Sequence, residues 1–280
     1  MSQAGQRKRI PRTAEVVRAE WVNPSMRRVW FTGADLSCLR TLPYTDHYVK
    51  ILFPPRGAEY RWPFDPDELK ANAPAHLWPV TRTYTVRSYD EDRNELAIDF
   101  VVHGDEGLAG PWAARAEAGQ QIGFFGPGGG YAPDATADGH LLIGDEAAIP
   151  AICATLDRLG ESARALVYLE VDGAHGQQQI SSSPSVEVVW VHRSGRPYGD
   201  ALAEVVRDRG VPGGDVQAFV HGNADMIRQL RRYLFGELDF NRQRVSMSGY
   251  WRTGQTEDGW QATKREFNAE LARSDGAVAA

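Results

Sequence analysis

The chain has 280 residues, of which 42% are hydrophobic and 24% are charged, enough for two domains with ordinary cores. Its formal net charge of −6 at pH 7 argues against a general nucleic-acid binder, because such proteins carry a basic footprint. No nucleic-acid partner is therefore expected.

The N-terminal segment MSQAGQRKRIPR is basic, and no apolar stretch follows it. It is predicted to be a disordered arm, residues 1–12, rather than a signal peptide. No apolar run reaches the roughly 18 residues of a membrane span, so no membrane insertion is expected. Cys38 and Cys153 are too few for an iron–sulfur cluster, a zinc site or a disulfide framework, and the histidines show no ligand spacing. We therefore expect no metal site and a cytoplasmic location.

The first half of the chain has the pattern of strands separated by turns. Six segments are rich in β-branched and aromatic residues: 13–22, 26–33, 47–54, 81–90, 95–104 and 120–129. With no long helix among them, they predict a small closed antiparallel barrel, since closure removes exposed strand edges. The Pro- and Trp-rich stretch 55–80 is predicted to be an excursion over the barrel, with a helical turn near Asp67–Lys70.

After residue 130, apolar strands alternate with helices, which predicts a parallel sheet. The expected strands are 141–144, 164–171, 186–193, 216–222 and 244–251, and the expected helices are 149–160, 199–209, 225–234 and one from about 258. The predicted fold is thus a six-stranded antiparallel barrel followed by a five-stranded parallel sheet, a ferredoxin-reductase-like layout. The predicted domains are 1–135 and 136–280, the second ending in a C-terminal helix.

In that layout the barrel binds a flavin and the sheet binds a pyridine nucleotide, and RTYTVR (82–87) is the most informative segment. Strand alternation places Arg82 and Tyr84 on one face and Thr85 on the other. A flavin needs a cation for its pyrophosphate, a flat ring against its isoalloxazine, and hydrogen-bond donors near N5 and O4. Arg82, Tyr84 and Thr85 can supply these groups. The alternative is an ordinary amphipathic strand, which could have the same sequence.

Many segments together resemble the siderophore-interacting protein family, the FAD-dependent ferric-siderophore reductases. The similarity runs in one order from about Arg12 to Phe267: NPSMRRVWFTGADL (23–36), DHYVKILFP (46–54), RTYTVR (82–87), DFVVHGDEG (99–107), PWAARAEAGQQIGFFGPGG (111–129), GDEAAIPAI (144–152), FVHGNADMIRQLRRYL (219–234) and SGYWRTG (248–254). The resemblance implies that FAD is held by Arg82, Tyr84 and Thr85.

The resemblance also implies further flavin contacts after the fifth predicted strand. Residues expected beside the flavin are Asp99, Val102 and His103. A helix start facing the pyrophosphate is expected at Gly107, Ala109, Gly110 and Trp112, because backbone N–H groups at a helix start favour phosphate. The sequence departs from the family pattern here at Leu108, Gly110 and Pro111, and Gly110 stands where a hydroxyl is expected.

The second half lacks the G-x-G-x-x-G fingerprint, so no standard dinucleotide grip is predicted. The resemblance implies that Gly144, Asp145 and Glu146 lie where the nicotinamide ring approaches the flavin. Carboxylates at the start of a helix also interact favourably with the helix dipole, which is the alternative explanation. Two more departures are Ala147, where Thr is usual, and Asn223, where Glu is expected.

The electron donor stays open between NADH, NADPH and a ferredoxin. Arg193 is one candidate for binding the 2′-phosphate of NADPH, and a solvated arginine is the alternative.

Cations near the flavin are expected at the substrate site, because ferric siderophores, catecholates among them, are anionic. Lys50 and Arg252 match basic positions of the family, Lys264 is a weaker candidate, and each could also be an ordinary surface cation. Lys50 and Arg252 would have to converge across a cleft between the two domains. The implied activity is reduction of the ferric siderophore, which releases Fe(II). The alternatives are a general NAD(P)H:flavin oxidoreductase and a non-catalytic flavin- and siderophore-binding protein.

Overall fold

The structure is a computed structural model that describes residues 10–180 and 182–278, the last five of these by backbone alone. The chain forms two compact units. The first contains the chain up to Trp21 together with Arg27–Leu42 and His47–Gly129. The second contains Val22–Met26, Pro43–Asp46 and the chain from Gly130 onward.

The first unit is built on a closed barrel, as predicted. Its strands are β1 (Arg12–Asn23), β2 (Met26–Thr32), β3 (Tyr48–Phe53), β4 (Val80–Asp90), β5 (Glu95–Val101) and β6 (Gln121–Gly128). Their order around the barrel is β1-β2-β5-β4-β3-β6, and β1 closes on β6 in antiparallel register. Alternate side chains fill the interior, among them the fully buried Phe31, Ile51 and Phe124.

Most strand ends in the first unit differ from the prediction by one or two residues, and the differences at the start of β1 and the end of β5 bear on the site. Most of the predicted arm lies outside the described residues, but Arg12, its last residue, begins β1. Arg12 is opposite Phe124 in the ladder, and its guanidinium donates a hydrogen bond to the carbonyl of Gly126 at 2.6 Å. The predicted strand 95–104 is shorter in the structure: β5 ends at Val101, before the turn in which Gly104 has a φ of +56°.

The excursion between β3 and β4 contains the short helix α1 (Pro66–Asn72), which confirms the predicted helical turn. Asp65 caps this helix, its carboxylate accepting a hydrogen bond from the Asp67 N–H at 2.8 Å. The Trp62 ring lies flush against Gly123 of β6, where any Cβ would overlap it. Trp62 Nε1 also donates to Thr13 Oγ1 at 3.2 Å, so one indole fixes the excursion to the barrel wall.

The second unit contains the predicted five-stranded parallel sheet. Its strands are β7 (Gly139–Gly144), β8 (Ala165–Val171), β9 (Val186–His192), β10 (Val216–Asn223) and β11 (Val245–Trp251), in the order β11-β10-β7-β8-β9. Its helices are α3 (Ile149–Arg158), α4 (Asp200–Arg209), α5 (Ala224–Arg231) and α6 (Glu257–Val278), whereas α2 (Ala109–Ala114) belongs to the first unit. Apolar side chains cover both faces of the sheet, as a parallel sheet requires.

Within the part of the chain that the structure describes, no helix is long and apolar enough to cross a membrane. The same residues contain no cluster of three or more His, Cys, Asp or Glu side chains that could hold a metal ion.

Candidate functional site

The predicted flavin strand is β4. Tyr84 is half-buried, and its ring lies 4.3 Å, centroid to centroid, from that of Phe100. Arg82 is also half-buried and donates from Nη1 to the carbonyl of Thr81 at 2.8 Å. Thr85 is 8% exposed. The strand therefore holds a cation and an aromatic ring two residues apart.

The residues expected beside the flavin after β4 differ in their surroundings. Asp99 of β5 is buried and accepts two hydrogen bonds from Arg28, at 2.6 and 2.8 Å. Sequence reasoning missed Arg28, whose partner lies 71 residues away. Val102 and His103 follow the end of β5, and His103 is exposed.

The expected phosphate-facing segment forms the start of α2. Gly107 is exposed, with a φ of +75°, and Ala109 is buried. Gly110 lies against β5, where a Cβ would come within 3.1 Å of the Val101 carbonyl oxygen. A larger side chain at residue 110 would therefore require Val101 to shift by a few tenths of an ångström. The predicted contact residue Trp112 packs in an aromatic group with Phe31, Phe53 and Phe100, at centroid distances of 6.2, 5.8 and 5.7 Å.

In the second unit, Gly144 and Asp145 lie at the carboxyl end of β7. Gly144 has no room for a side chain, because a Cβ would meet that of Ala148 at 2.5 Å. Asp145 is fully buried and accepts from Asn223 N at 2.7 Å, Trp251 Nε1 at 2.9 Å and Ala147 N at 3.0 Å. Burial, and then the nearby Glu146, raise the pKa of Asp145 to about 7. Asp145 thus joins the ends of three strands.

The departure at Asn223 has a local explanation. Asn223 caps α5, its side-chain oxygen accepting from the Asp225 N–H at 2.8 Å, and its amide donates to Thr253 Oγ1 at 3.0 Å. It is fully buried, so Glu at this position would add a second carboxylate next to Asp145.

Glu146 and Arg193 form the centre of a buried charge network. Arg193 Nη2 lies 3.1 Å from Glu146, its Nη1 lies 3.7 Å from Glu170, and its guanidinium carbon lies 3.7 Å from the centre of the Tyr198 ring. The Arg193 side chain is 7% exposed, so its charge is committed to these partners. Burial opposes that charge, but the hydrogen bond to Glu146 and the surrounding negative groups leave the pKa of Arg193 raised.

The predicted substrate cation Lys50 lies on β3 and lines an open cavity of about 500 Å³ in the first unit. Arg12, Tyr48 and the glycine–proline segment 126–128 line the same cavity. Sequence reasoning missed Tyr48 as a site residue, although the strand period of two puts it on the same face as Lys50.

The other two predicted cations, Arg252 and Lys264, belong to the second unit. Arg252 lies 3.3 Å from Asp225, with its guanidinium carbon 5.7 Å from the centre of the Phe267 ring. Lys264 Nζ donates to Ser248 Oγ at 3.1 Å. Ser246, on β11 like Ser248, forms a hydrogen bond with His221. Burial, and then the positive charge of Lys264, lower the pKa of His221 to about 3. Lys264 therefore stands beside an imidazole that is neutral at pH 7.

Two sequence families match the chain. The siderophore-interacting FAD-binding domain matches residues 15–131, and the siderophore-interacting protein family matches residues 137–254. The ferric vibriobactin reductase ViuB of Vibrio cholerae is 34% identical over 253 residues, 89% of this chain and 92% of that protein. The chain belongs to the siderophore-interacting protein family.

Other family relationships agree with this. The NADPH-dependent ferric-chelate reductase of Escherichia coli is 27% identical over 86% of this chain and 92% of that protein. The crystal structure of a siderophore utilization protein from T. fusca matches with a TM-score of 0.77 and 34% identity, over 89% of this chain and 95% of that one. At 10% identity, the ferredoxin-NADP+ reductase of Plasmodium falciparum shares the fold, with a TM-score of 0.64. The ferredoxin-reductase-like layout is thus confirmed.

The barrel of this family member is its FAD-binding domain, and FAD is the cofactor. The barrel has suitable groups for it. Tyr84 supplies a half-buried aromatic ring, and Arg82 supplies a half-buried cation on the same strand. The positive charge suits a pyrophosphate and the ring suits an isoalloxazine.

Proposed function

We propose that this protein reduces ferric siderophores with FAD and thereby releases Fe(II). The observation that carries the proposal is the match of both halves of the chain to siderophore-interacting families. The names of the V. cholerae and E. coli relatives, which specify ferric reduction, support it.

We propose that FAD is bound by Arg82, Tyr84 and Thr85, with further contacts from Asp99, Val102, His103 and the start of α2 at Gly107, Ala109, Gly110 and Trp112. FAD, when bound, accepts a hydride and delivers electrons singly, as Fe(III) requires. The protein residues bind and orient it: Arg82 neutralises the phosphates, and Tyr84 supports the ring. Asp99 acts through Arg28, which it holds by two hydrogen bonds.

We propose that the substrate is an anionic ferric siderophore of the catecholate type, bound by Lys50, Arg252 and Lys264. The position of Lys50 on an open cavity supports this role. The hydrogen bond of Lys264 to Ser248, which fixes the ammonium group against β11, also supports it. Convergence of Lys50 with the other two cations stays a prediction.

We propose NAD(P)H as the donor, with Gly144, Asp145 and Glu146 near the nicotinamide, and a ferredoxin as the alternative. The name of the E. coli relative supports NADPH. The ends of β7 and β8 carry four carboxylates, Asp145, Glu146, Glu170 and Asp172, and Arg193 contacts the last three. This excess of acid disfavours nucleotide phosphates there, so we propose that the phosphates bind elsewhere on the second unit. The free thiols Cys38 and Cys153 support a cytoplasmic location.

The decisive experiment uses the FAD-loaded protein without oxygen. Flavin absorbance is followed after addition of NADH, NADPH or a reduced ferredoxin, and then of a ferric siderophore with a colour-forming Fe(II) chelator. We expect the flavin absorbance to fall with one donor and to recover as Fe(II) appears. Reoxidation by quinones without Fe(II) formation would favour a general flavin oxidoreductase, and slow release of Fe(II) over hours would favour a non-catalytic binder.

A further inference from the structure

Trp251 is a half-buried aromatic residue at the carboxyl edge of the parallel sheet. It ends β11, where it is opposite Asn223 of β10 in the ladder. Its Nε1 donates a hydrogen bond to Asp145 Oδ2 at 2.9 Å. The Tyr198 ring meets the indole edge-on, with centroids 4.5 Å apart and an angle of 89° between the ring planes. A hydrogen bond and a ring contact thus hold the indole beside Asp145, one of the residues proposed to lie near the nicotinamide.

The three hydrogen bonds that Asp145 accepts differ in how freely their donors can move. Two donors are the backbone N–H groups of Asn223, at 2.7 Å, and Ala147, at 3.0 Å. These groups belong to strand β10 and to the turn before α3, which fix them in place. The third donor is the indole of Trp251, which is on a side chain that can change its rotamer. A change at the carboxylate therefore moves Trp251 more readily than it moves the backbone.

The strength of the bond to Trp251 depends on the charge of Asp145. Hydrogen bonds to an ionised carboxylate are roughly twice as strong as those between neutral groups. Protonation removes this charge, and it adds an O–H donor to a fully buried group that is already surrounded by N–H donors. Burial, and then the charge of Glu146, raise the pKa of Asp145 to about 7, so both forms are populated near neutral pH.

The groups on the far side of the indole keep their charge states in this pH range. Burial, and then the charge of Glu146, raise the pKa of Tyr198 to about 12, so its hydroxyl stays neutral. Arg193, whose guanidinium carbon lies 3.7 Å from the centre of the Tyr198 ring, stays charged because its pKa is raised. The other charged groups around the indole and Asp145 are Glu146 in the same turn, Glu170 of β8, Asp225 in the first turn of α5 and Arg252 after β11.

We propose that Asp145 is a positioning residue and that Trp251 is the ring on which the dihydronicotinamide packs. Ionised Asp145 holds the indole in place for that ring and protonated Asp145 releases it, so that NADH or NADPH reduces the flavin faster as the carboxylate ionises. An indole held by its N–H and its edge keeps a face for another flat ring. This inference rests on the proposed function, to which it adds a residue and a pH dependence.

The kinetic test follows flavin absorbance by stopped flow after FAD-loaded protein is mixed with NADH or NADPH without oxygen. The ionised fraction of a group with a pKa near 7 rises from about one tenth at pH 6 to about nine tenths at pH 8, so the parent rate should rise about ninefold. Asp145→Asn should change by less than about twofold over this range, and so should Trp251→Phe, which keeps a ring but lacks the N–H. Glu146→Gln should move the midpoint to lower pH, because a negative charge that favours protonation of Asp145 is removed. Trp78→Phe is the matched control, since it removes an indole that binds the Ala73 carbonyl in the first unit, and it should keep the parent profile.

Tryptophan fluorescence tests the positioning without any electron donor. The emission of the parent should shift between pH 6 and pH 8, and this shift should be missing in Asp145→Asn and in Trp251→Phe. A parent whose emission and reduction rate do not change with pH would overturn the inference. So would an Asp145→Asn or a Trp251→Phe variant that keeps the parent pH profile. If the emission shifts but neither NADH nor NADPH reduces the flavin at any pH, the donor in the proposed function is wrong, and the hold of Asp145 on Trp251 stands.

Discussion

Replacing Arg193 with Gln tests the buried charge network of the second unit. The guanidinium lies 3.1 Å from Glu146 and 3.7 Å from Glu170, whose side chains are 8% and 0% exposed. Without the cation these carboxylates stay buried with no counter-charge, and breaking a buried pair in this way costs about 3–5 kcal/mol. We expect Arg193→Gln to lower the free energy of unfolding of the second unit by this amount at pH 7.

The loss of stability caused by Arg193→Gln should be smaller at acidic pH. Burial raises the pKa of Glu170 even in the presence of Arg193, and loss of the cation raises it further. A folded-state pKa above the unfolded value of about 4.3 means that the folded protein binds more protons than the unfolded chain. The stability of the variant therefore falls as pH rises above that value. The difference between variant and parent should be smaller at pH 5 than at pH 7.

The assay is urea unfolding followed by tryptophan fluorescence, with FAD release recorded separately because two units need not unfold together. The control is Arg196→Gln, which breaks an exposed pair with Glu204 and should cost less than about 1 kcal/mol. The ratio of NADPH to NADH rates should be the same in Arg193→Gln and the parent, since Arg193 is committed to carboxylates. An Arg193→Gln variant as stable as Arg196→Gln, or one that loses NADPH activity alone, would refute this reasoning.

The remaining predictions concern the flavin strand, two substrate cations, one helix cap and one buried imidazole. Arg82→Ala should weaken FAD binding by about 1.5–3 kcal/mol in equilibrium dialysis, the scale of a charge-assisted hydrogen bond; unchanged binding contradicts the flavin assignment. Lys50→Ala and Arg252→Ala should each raise the KM for an anionic ferric siderophore about five- to thirty-fold and spare reduction of menadione; equal KM values and equal salt dependence would count against the basic site. Asn223→Ala should cost about 1–2 kcal/mol of stability by urea unfolding, because α5 loses its cap, and Asn223→Ser, which keeps a capping oxygen without a second carboxylate beside Asp145, should cost less. The His221 pKa of about 3 lies below its usual 6.5, so the unfolded chain binds more protons between these values, and stability falls as pH drops through them. His221→Phe should flatten this acid limb in pH-dependent unfolding, and an unchanged limb would exclude His221 as its cause.

The sequence pattern was sufficient to predict the strand-rich first half and the alternating second half, because each element buries its own periodic apolar face. It could not predict the networks that join distant strands. Asp145 bonds Trp251, 106 residues later, and only the parallel order of the sheet brings them together. The capping role of Asn223 could have been predicted from the sequence, because Asn directly before a helix is a capping signal.

Arg12 was misassigned for a different reason. The basic segment before Arg12, which ends in Pro11, has the composition of a disordered N-terminal arm. The local sequence does not show that Arg12 pairs with β6. Tyr48 was missed because the family pattern indicates a basic substrate position at Lys50 only. Strand alternation nevertheless puts both side chains on one face.

The contact between Trp62 and Gly123 determines how far β6 can be changed in directed evolution. Every replacement of Gly123 introduces at least a methyl group into the space of the indole, so even alanine would displace the Pro- and Trp-rich excursion from the barrel wall. A randomised library of this strand should therefore keep residue 123 as glycine. Thr13 should be varied only together with Trp62, since its hydroxyl accepts the indole N–H.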